Sequence, residues 1–158
     1  YDLPKEIDEK FDIVFTSYGT ISWLPDLDKW ADVIQNFLKP EGRFVFVEFH
    51  PVVWMFDDDL EKVRYNYFNK KPIIEIEEGS YADRSANLKN EYVCWNHGLS
   101  EVIAALKGAN VMIESFKEYD YAPYNFISKM VEFEPGKFRI KHFDDKVPLV
   151  YSLTCLKS

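Results

Sequence analysis

Apolar and polar positions in the first third of the chain predict a strand, a helix and a second strand. Residues 11–15 are almost continuously apolar, which is typical of a strand covered on both faces. Apolar residues then recur at helical spacing over 27–38, and residues 44–49 form a second apolar run. The Pro-Glu-Gly sequence at 40–42 separates the helix from this run. A strand–helix–strand crossover predicts an α/β fold with a parallel sheet of the doubly wound type.

The last third of the chain predicts one more helix and two more strands. Apolar spacing indicates a helix over 99–106, with Asn96 as its N-cap and Gly108 at its end. Residues 111–116 and 148–156 are rich in β-branched and aromatic side chains, as strands are. No helical pattern connects these two strands, so we expect them to pair antiparallel at the edge of the sheet.

Two segments, 51–98 and 119–136, are rich in aromatic residues and less regular. In the first we predict a short helix over 58–65 and an edge strand over 72–78. No linker or change of composition separates it, so we interpret residues 1–158 as one domain with 51–98 as an insertion. The aromatic residues of the insertion are Trp54, Phe56, Tyr65, Tyr67, Phe68, Tyr81, Tyr92 and Trp95.

Composition narrows the classes of partner. The 158 residues carry a formal charge of −8, which disfavours nucleic acid and anionic membrane surfaces because both need a basic surface. No apolar run is long enough to span a bilayer, and the first ten residues lack the apolar core of a signal peptide. Cys94 and Cys155 lie far apart and fit small buried side chains in a reducing cytosol. These features together predict a cytoplasmic protein.

Three stretches of sequence carry a family resemblance. Residues 11–19 read FDIVFTSYG, residues 38–46 read LKPEGRFVF, and residues 95–101 read WNHGLSE. Together with the last two strands they resemble the C-terminal half of bacterial class I S-adenosylmethionine-dependent methyltransferases. The first stretch is similar to the family's fourth strand, and the second to its Leu-Lys-Pro-Gly-Gly turn, with Glu41 where glycine is commoner. The resemblance implies a Rossmann-like mixed sheet with an antiparallel terminal strand, and S-adenosyl-L-methionine as cofactor.

The resemblance departs from the family at the cofactor motif. The family holds the cofactor with a glycine-rich loop after its first strand and an acidic residue at the end of its second, yet no Gly-x-Gly occurs here. We expect these parts upstream of Tyr1, in roughly 90 residues at about 30 residues for each strand–helix unit. The chain alone is therefore expected to bind the cofactor poorly and to be inactive.

The crossover also predicts where a ligand binds, at the carboxyl ends of the two parallel strands. With the resemblance, Ser17, Tyr18 and Gly19 become candidates for a wall against the cofactor, the glycine allowing close approach. An ordinary turn that needs a glycine explains the same residues. Ile21 and Trp23 either cover the adenine or sulfonium part of the cofactor or pack as a hydrophobic staple before the helix.

Four further residues are candidates for binding or catalysis near these strand ends. Glu48 and His50 flank the end of the second strand, where a carboxylate or imidazole can take a proton from a methyl acceptor or orient it. Trp95 and His97 precede the second helix, where they would contact the acceptor and act as base or positioning group. A hydrogen-bonded structural role explains His50 more simply, helix capping is the alternative for His97, and core packing is the alternative for Trp95.

For the other polar residues, we predict no role in binding or catalysis. Asp57, Asp58 and Asp59 are consecutive and cannot converge on one metal ion, so we interpret them as a charged first helical turn. His142 has no spaced partner and is interpreted as a surface residue. Motifs of hydrolases, nucleotide triphosphatases and metalloproteases are absent from the sequence, and no metal is expected.

Two main functional hypotheses follow. In the first hypothesis, the chain is part of a methyltransferase that acts on a small-molecule acceptor, and the aromatic insertion selects that acceptor. The second is a non-catalytic or degenerate domain of the same fold that binds a partner or forms a homo-oligomer, because half of a doubly wound sheet exposes an edge and an apolar face. A nicotinamide-dependent oxidoreductase half-domain is a third hypothesis, which the 38–42 turn and the terminal strands disfavour.

Overall fold

The chain forms a central sheet with helices on one face and two additional hairpins. The computed structural model describes residues 1–78 and 87–157. Tyr81 of the aromatic insertion lies outside the described residues. The helices are α1 (Leu3–Glu6), α2 (Leu27–Phe37) and α3 (Leu99–Gly108). The strands are β1 (Phe11–Thr16), β2 (Leu38–Phe49), β3 (Ile73–Glu78), β4 (Lys89–Cys94), β5 (Val111–Tyr119), β6 (Met130–Glu134), β7 (Lys137–Ile140) and β8 (Val150–Lys157).

The central sheet has the strand order β1-β2-β8-β5. β1 and β2 are parallel and are joined through α2, which confirms the predicted crossover. β8 is antiparallel to both of its neighbours, β2 and β5. The predicted antiparallel pair is therefore present, but β5 forms the edge and the last strand lies inside the sheet. The result is a mixed α/β fold with a mixed sheet.

Helix α2 forms because its apolar residues share one face and its first turn is capped. The Asp26 carboxylate accepts the backbone N–H of Lys29 at 3.0 Å. The helix ends at Phe37, one residue earlier than predicted, and Pro40 and Gly42 lie inside β2 rather than in a separate turn. The reason is that pairing with β1 already begins at Leu38. The buried residues of α2 are Leu27, Trp30, Ala31, Ile34 and Phe37.

Side chains that alternate along the central strands build two cores on opposite faces of the sheet. Phe44 and Phe46 of β2 face α2 and α3, whereas Phe49 faces the other side. In β8, Tyr151 belongs to the first core and Val150 to the second. The second core is completed by the segments that follow β2 and β5, so it covers the carboxyl end of β2.

One face of β1 is not covered, contrary to the prediction of a strand buried on both faces. Ile13 is 63% exposed and Phe15 60% exposed, while Val14 on the opposite face packs against the first core. Among the described residues, β1 pairs with β2 and with no other strand. The central sheet therefore ends in an apolar strand with one free edge and one open face.

Two local predictions are wrong for identifiable reasons. Residues 58–65 form turns instead of a helix, because the Asp57 carboxylate accepts the N–H groups of Glu61 and Lys62 at 2.8 and 3.2 Å and closes a loop. The aspartates at 57–59 are thus not a helical first turn. The N-cap of α3 is Gly98 and not Asn96, because the Asn96 side chain donates to the carbonyl of Pro51 instead.

The less regular segments contain two short antiparallel ribbons. Strands β3 and β4 pair within the insertion, which confirms a strand near 72–78. β5 continues to Tyr119, three residues past its predicted end. The segment 119–136, for which no strand was predicted, contains β6, which pairs with β7. None of the helices in the described parts of the chain is long and apolar enough to cross a membrane.

Candidate functional site

The parallel strands β1 and β2 end side by side, and the chain reverses after β1 at Gly19. Gly19 has φ +75°, a conformation that residues with a side chain rarely adopt, and no atom lies within 4 Å of the position its Cβ would take. A single 3₁₀ turn, Ile21–Trp23, follows directly. The glycine is therefore required by backbone geometry, and the space beside it is open.

The buried carboxylate of Glu48 holds this turn in place. It accepts the backbone N–H of Gly19 and those of Thr20 and Ile21 at 3.0 and 3.4 Å. It also accepts the N–H of Phe49 at 2.8 Å. Hydrogen bonds from several backbone amides satisfy a buried carboxylate, so Glu48 connects the end of β2 to the turn after β1.

Two opposing effects act on the acidity of Glu48. Burial raises its pKa above the ordinary value, because the ionised form loses contact with water. The four backbone N–H groups act in the opposite direction by stabilising the negative charge, but burial has the larger effect. Glu48, predicted to bind a substrate, thus has both carboxylate oxygens engaged by the protein backbone.

His50 lies just after β2 and is buried. Its Nδ1 accepts the N–H of Val52 at 3.2 Å, which leaves the proton on Nε2, 2.9 Å from Oε1 of Glu118 on β5. Burial lowers the pKa of His50, while the half-exposed Glu118 carboxylate acts against this. The pair links the end of β2 to β5 and has one member in contact with solvent.

His97 is also buried, with an oxygen near each ring nitrogen. Nε2 lies 2.8 Å from the carbonyl of Leu24, and Nδ1 lies 3.1 Å from the carboxylate of Glu101 one turn along α3. The Leu24 carbonyl can only accept a hydrogen bond, so Nε2–H of His97 is the donor to it. His97 thereby connects the start of α3 to the segment before α2.

The residues next to His97 strengthen this connection. The backbone N–H of Trp95 donates to the carbonyl of Ser22 at 2.9 Å, and the Asn96 amide donates to the carbonyl of Pro51 at 3.1 Å. Residues 95–97 therefore bind both strand-end segments, the one after β1 and the one after β2. The sequence placed Trp95 and His97 near a site, and the structure brings them to the same end of the sheet as Glu48 and His50.

A small cavity lies where these segments meet. Its lining includes Glu48, Trp95, Asn96, His97 and Tyr151. The cavity volume is about 250 Å³ with its opening to solvent included. Within it, the centre of a water molecule can occupy only about 10 Å³. The cavity therefore admits roughly one water molecule or one oxygen-sized group.

The remaining predicted cofactor residues differ in their surroundings. Ser17 is exposed, and its carbonyl accepts the hydroxyl of Thr20 at 2.7 Å. Ile21 is buried in the first core and also lines the cavity. Trp23 is 58% exposed, and its ring meets the Tyr92 ring edge-on with 6.1 Å between ring centroids. An exposed tryptophan beside an open glycine turn leaves a surface that a ligand could cover.

Tyr18 belongs to an aromatic cluster on the other face of the sheet. Its ring packs against Phe49 and Tyr124, with centroid distances of 5.1 and 5.8 Å. Phe49 in turn stacks on Phe126 at 3.8 Å and meets Trp54 edge-on at 5.8 Å. Burial and the neighbouring tyrosines raise the pKa of Tyr18, so its hydroxyl stays protonated at neutral pH. The cluster forms an aromatic wall next to the strand ends.

Sequence reasoning missed Tyr151, Glu118 and the role of residues 124–126. Glu48, Tyr151 and Glu118 are direct neighbours across β2, β8 and β5, and this register cannot be read from one sequence. The aromatic residues of 119–136 were a visible signal, but their packing against Phe49 depends on the second core. Among the described residues, no group of three or more His, Cys, Asp or Glu side chains is arranged to hold a metal ion.

Comparison with known proteins identifies the fold. No protein-family model and no curated protein sequence matches the chain. Solved structures of S-adenosylmethionine-dependent methyltransferases do match. A candidate enzyme of this kind from Listeria monocytogenes aligns with 96% of the chain at a TM-score of 0.59 and 14% identity. One from Methanosarcina mazei aligns with 95% at 0.57 and 13% identity, and one from Clostridium acetobutylicum with 95% at 0.54 and 15% identity.

These similarities establish a Rossmann-like α/β fold of the kind found in S-adenosylmethionine-dependent methyltransferases. The chain spans less than two thirds of these structures, namely 63% of the Listeria protein, 60% of the Methanosarcina protein and 59% of the Clostridium protein. At such low identity the comparison concerns the fold alone.

Proposed function

We propose that this chain is the C-terminal part of an S-adenosylmethionine-dependent methyltransferase that acts on a small molecule in the bacterial cytoplasm. The proposal is supported above all by the strand order β1-β2-β8-β5 with an antiparallel β8. With this arrangement, nearly the whole chain aligns with methyltransferase structures. The open turn at Gly19, at the carboxyl end of a parallel strand, is where ligands bind in such sheets.

The residues at the strand ends fit one side of a cofactor site. Ser17 and Gly19 are open to solvent, and the exposed Trp23 ring is available for stacking or for contact with a cation. When bound, S-adenosylmethionine supplies an electrophilic methyl group attached to a sulfonium. The glycine-rich loop and acidic residue that hold the rest of such a cofactor have no counterpart in this sequence. We therefore propose that the chain is inactive until those parts are supplied.

The contribution of these residues to methyl transfer is chiefly positioning. Transfer of a methyl group needs alignment of acceptor and donor and exclusion of water more than acid–base chemistry. Glu48 fixes the turn beside Gly19, and His97 fixes the start of α3 against the segment at Leu24. A role as base for His50 or His97 requires one of their present hydrogen bonds to open. Each histidine has a half-exposed carboxylate as an outlet for a proton, Glu118 for His50 and Glu101 for His97.

A small-molecule acceptor is supported by charge and by the aromatic wall. A chain with a formal charge of −8 is poorly suited to nucleic acid. The rings of Tyr18, Trp54 and Phe126 around Phe49 offer an apolar surface next to the strand ends. We propose that this wall and Trp95 contact the acceptor.

The alternative function is a non-catalytic domain that binds a partner or a second copy. The open face of β1, with Ile13 and Phe15 more than half exposed, favours it. The same face would be covered in a complete methyltransferase fold, so the two functions differ in what covers it. In the alternative, binding of S-adenosylmethionine is not expected at all.

A methyl-transfer assay on the protein from its initiating methionine tests the enzyme proposal. Transfer of label from S-adenosylmethionine to a panel of small aromatic and polar acceptors is expected. His97→Ala and His50→Ala should lower turnover by about tenfold or more, whereas the exposed His142→Ala should not. Lack of transfer to every acceptor by a protein that binds the cofactor would restrict the proposal to a degenerate enzyme. Lack of cofactor binding would refute it.

A further inference from the structure

Two tryptophans at the strand ends have indole N–H groups without a hydrogen-bond partner among the described residues. Trp54 and Trp95 both line the small cavity, and neither indole nitrogen bonds to a described residue. Neither nitrogen is enclosed by protein atoms, unlike the hydroxyl of Tyr151 in the same lining. Both N–H groups are therefore accessible. A ligand that covers them stays favourable only if it replaces the water they lose with an acceptor of its own.

The other polar side chains that reach the cavity already have partners in the protein. The hydroxyl of Ser22 donates to the carbonyl of Gly19 at 2.9 Å. Glu48, Asn96 and His97 likewise form hydrogen bonds with backbone groups. The two indoles thus add unpaired donors to a lining whose other polar groups are bonded, which favours a ligand atom that accepts hydrogen bonds.

The size of the cavity limits what enters it to a single atom of a ligand. The centre of a water molecule can occupy only about 10 Å³, so one oxygen fits and an aromatic ring does not. Because the cavity opens to solvent, the skeleton of a ligand can remain outside while one oxygen enters.

The charges of the lining favour an oxygen without a negative charge. The lining includes the carboxylate of Glu48 and neither lysine nor arginine. His97 is present, but its ring nitrogens lie against the carbonyl of Leu24 and the carboxylate of Glu101. A ligand carboxylate would therefore be desolvated beside Glu48 without a free cation to pair with. A carbonyl oxygen is uncharged and has two lone pairs, enough to accept from both indoles.

We propose that this cavity binds an uncharged carbonyl oxygen, with the indole N–H groups of Trp54 and Trp95 as the donors that recognise it. A ketone, an ester or an amide presents such an oxygen. The proposal rests on the proposed function only in taking the carbonyl compound as the methyl acceptor. Binding depends on residues of this chain alone, so it is measured without cofactor and without methyl transfer.

Acetone is the probe, and acetate, which has a similar size and a negative charge, is the matched ligand. Each of the four tryptophans gives an indole N–H signal in NMR spectra of the isotope-labelled 158-residue chain. Acetone should shift the signals of Trp54 and Trp95 in a saturable manner, whereas those of Trp23 and Trp30 should change only linearly with its concentration. Acetate should bind at least about tenfold more weakly, because it brings a second negative charge close to Glu48.

Substitution of each tryptophan tests the two donors separately. Trp54→Phe and Trp95→Phe keep an aromatic ring and lack the N–H, so each should weaken acetone binding by about two- to tenfold, as expected for one hydrogen bond. Benzothienylalanine at either position keeps the double ring without the N–H and should cause the same loss. Tyr151→Phe is the matched control, since its hydroxyl is enclosed and should not affect acetone binding.

Four results would overturn the proposal. They are unchanged acetone affinity in either tryptophan variant, equal drift of all four indole signals, acetate binding as tight as that of acetone, and a folded chain without any saturable shift, in which water alone occupies the cavity. None of these results bears on binding of S-adenosylhomocysteine, which tests the proposed function separately.

Discussion

The carboxylate of Glu48 accepts the backbone N–H of Gly19, and this hydrogen bond joins the ends of the two parallel strands. Gly19 turns the chain with a positive φ, and Glu48 receives the amides that the turn presents. The turn that we assign to the cofactor side and the strand end that we assign to the acceptor side are therefore one hydrogen-bonded unit.

Replacement of Glu48 by glutamine should destabilise the protein. The side-chain amide has one acceptor oxygen instead of two, and its NH₂ group would face backbone N–H donors. We expect Glu48→Gln to lower the free energy of unfolding by about 1–3 kcal/mol in chemical denaturation. Glu9→Gln, at an exposed position, should change it by less than about 0.5 kcal/mol. Equal effects of the two substitutions would show that the Glu48 hydrogen bonds do not support the turn.

His50 should make the protein less stable in mild acid. Its pKa in the folded protein lies below the ordinary value of 6.5, so the unfolded chain binds the proton more readily. The free energy of unfolding should therefore decrease as the pH falls from about 7 through 6.5 towards the lowered pKa of His50.

Glu48 acts in the opposite sense over its own range. Its raised pKa favours the protonated form in the folded state, so its contribution is lost as the pH rises above 4.5 through that raised value. The His50 contribution is isolated by comparing the pH dependence of the wild type with that of His50→Gln. A variant with the same pH dependence as the wild type would contradict the assignment.

Gly42 should be intolerant of a side chain, unlike Gly108. A Cβ at Gly42 would lie 2.8 Å from the carbonyl oxygen of Lys39 and 3.2 Å from that of Phe11, both backbone atoms at the β1–β2 pairing. Gly42→Ala should cost about 1–3 kcal/mol of stability. Gly108→Ala places its Cβ in open space at the last residue of α3 and should stabilise by about 0.4–1 kcal/mol, because alanine restricts the unfolded chain more than glycine does. Thermal or denaturant unfolding of both variants decides this, and a neutral Gly42→Ala would contradict the close approach of the backbone at this position.

The open face of β1 should cause self-association of the chain. We expect Phe15→Lys to shift the protein towards monomer in sedimentation analysis, because a charge replaces an exposed apolar ring beside a free strand edge. Phe68→Lys is the control, since Phe68 is 81% exposed and belongs to none of the strands of the central sheet. Its association should match the wild type. A wild-type chain that is monomeric at all concentrations would contradict this prediction.

Much of the central sheet could be predicted because its signals are local. The apolar runs and the helical spacing between 11 and 49 define β1, α2 and β2, and the absence of a helical pattern before 148–156 indicated an antiparallel last strand. Glu41 was noted as standing where glycine is commoner in the resembling family, and in the structure it has φ +60°. Local conformation and sequence pattern agree at this position of β2.

The features that could not be predicted depend on contacts between segments that are distant in the sequence. Residues 58–65 form a loop closed by Asp57 instead of the predicted helix. Asn96 does not cap α3, because its side chain donates a hydrogen bond to the carbonyl of Pro51. The open face of β1 could not be seen, because an apolar strand looks the same whether covered or not. The cavity at Tyr151 arises from the pairing of β2, β8 and β5, which no single segment encodes.

Calorimetric titration with S-adenosylhomocysteine, using the protein from its initiating methionine, tests the central claim most directly. We predict binding with a dissociation constant on the order of micromolar, and weak or undetectable binding by the 158-residue chain alone. No binding by the folded longer protein would contradict the methyltransferase assignment. The residues at the strand ends would then be structural, and the open face of β1 would become the surface to explain.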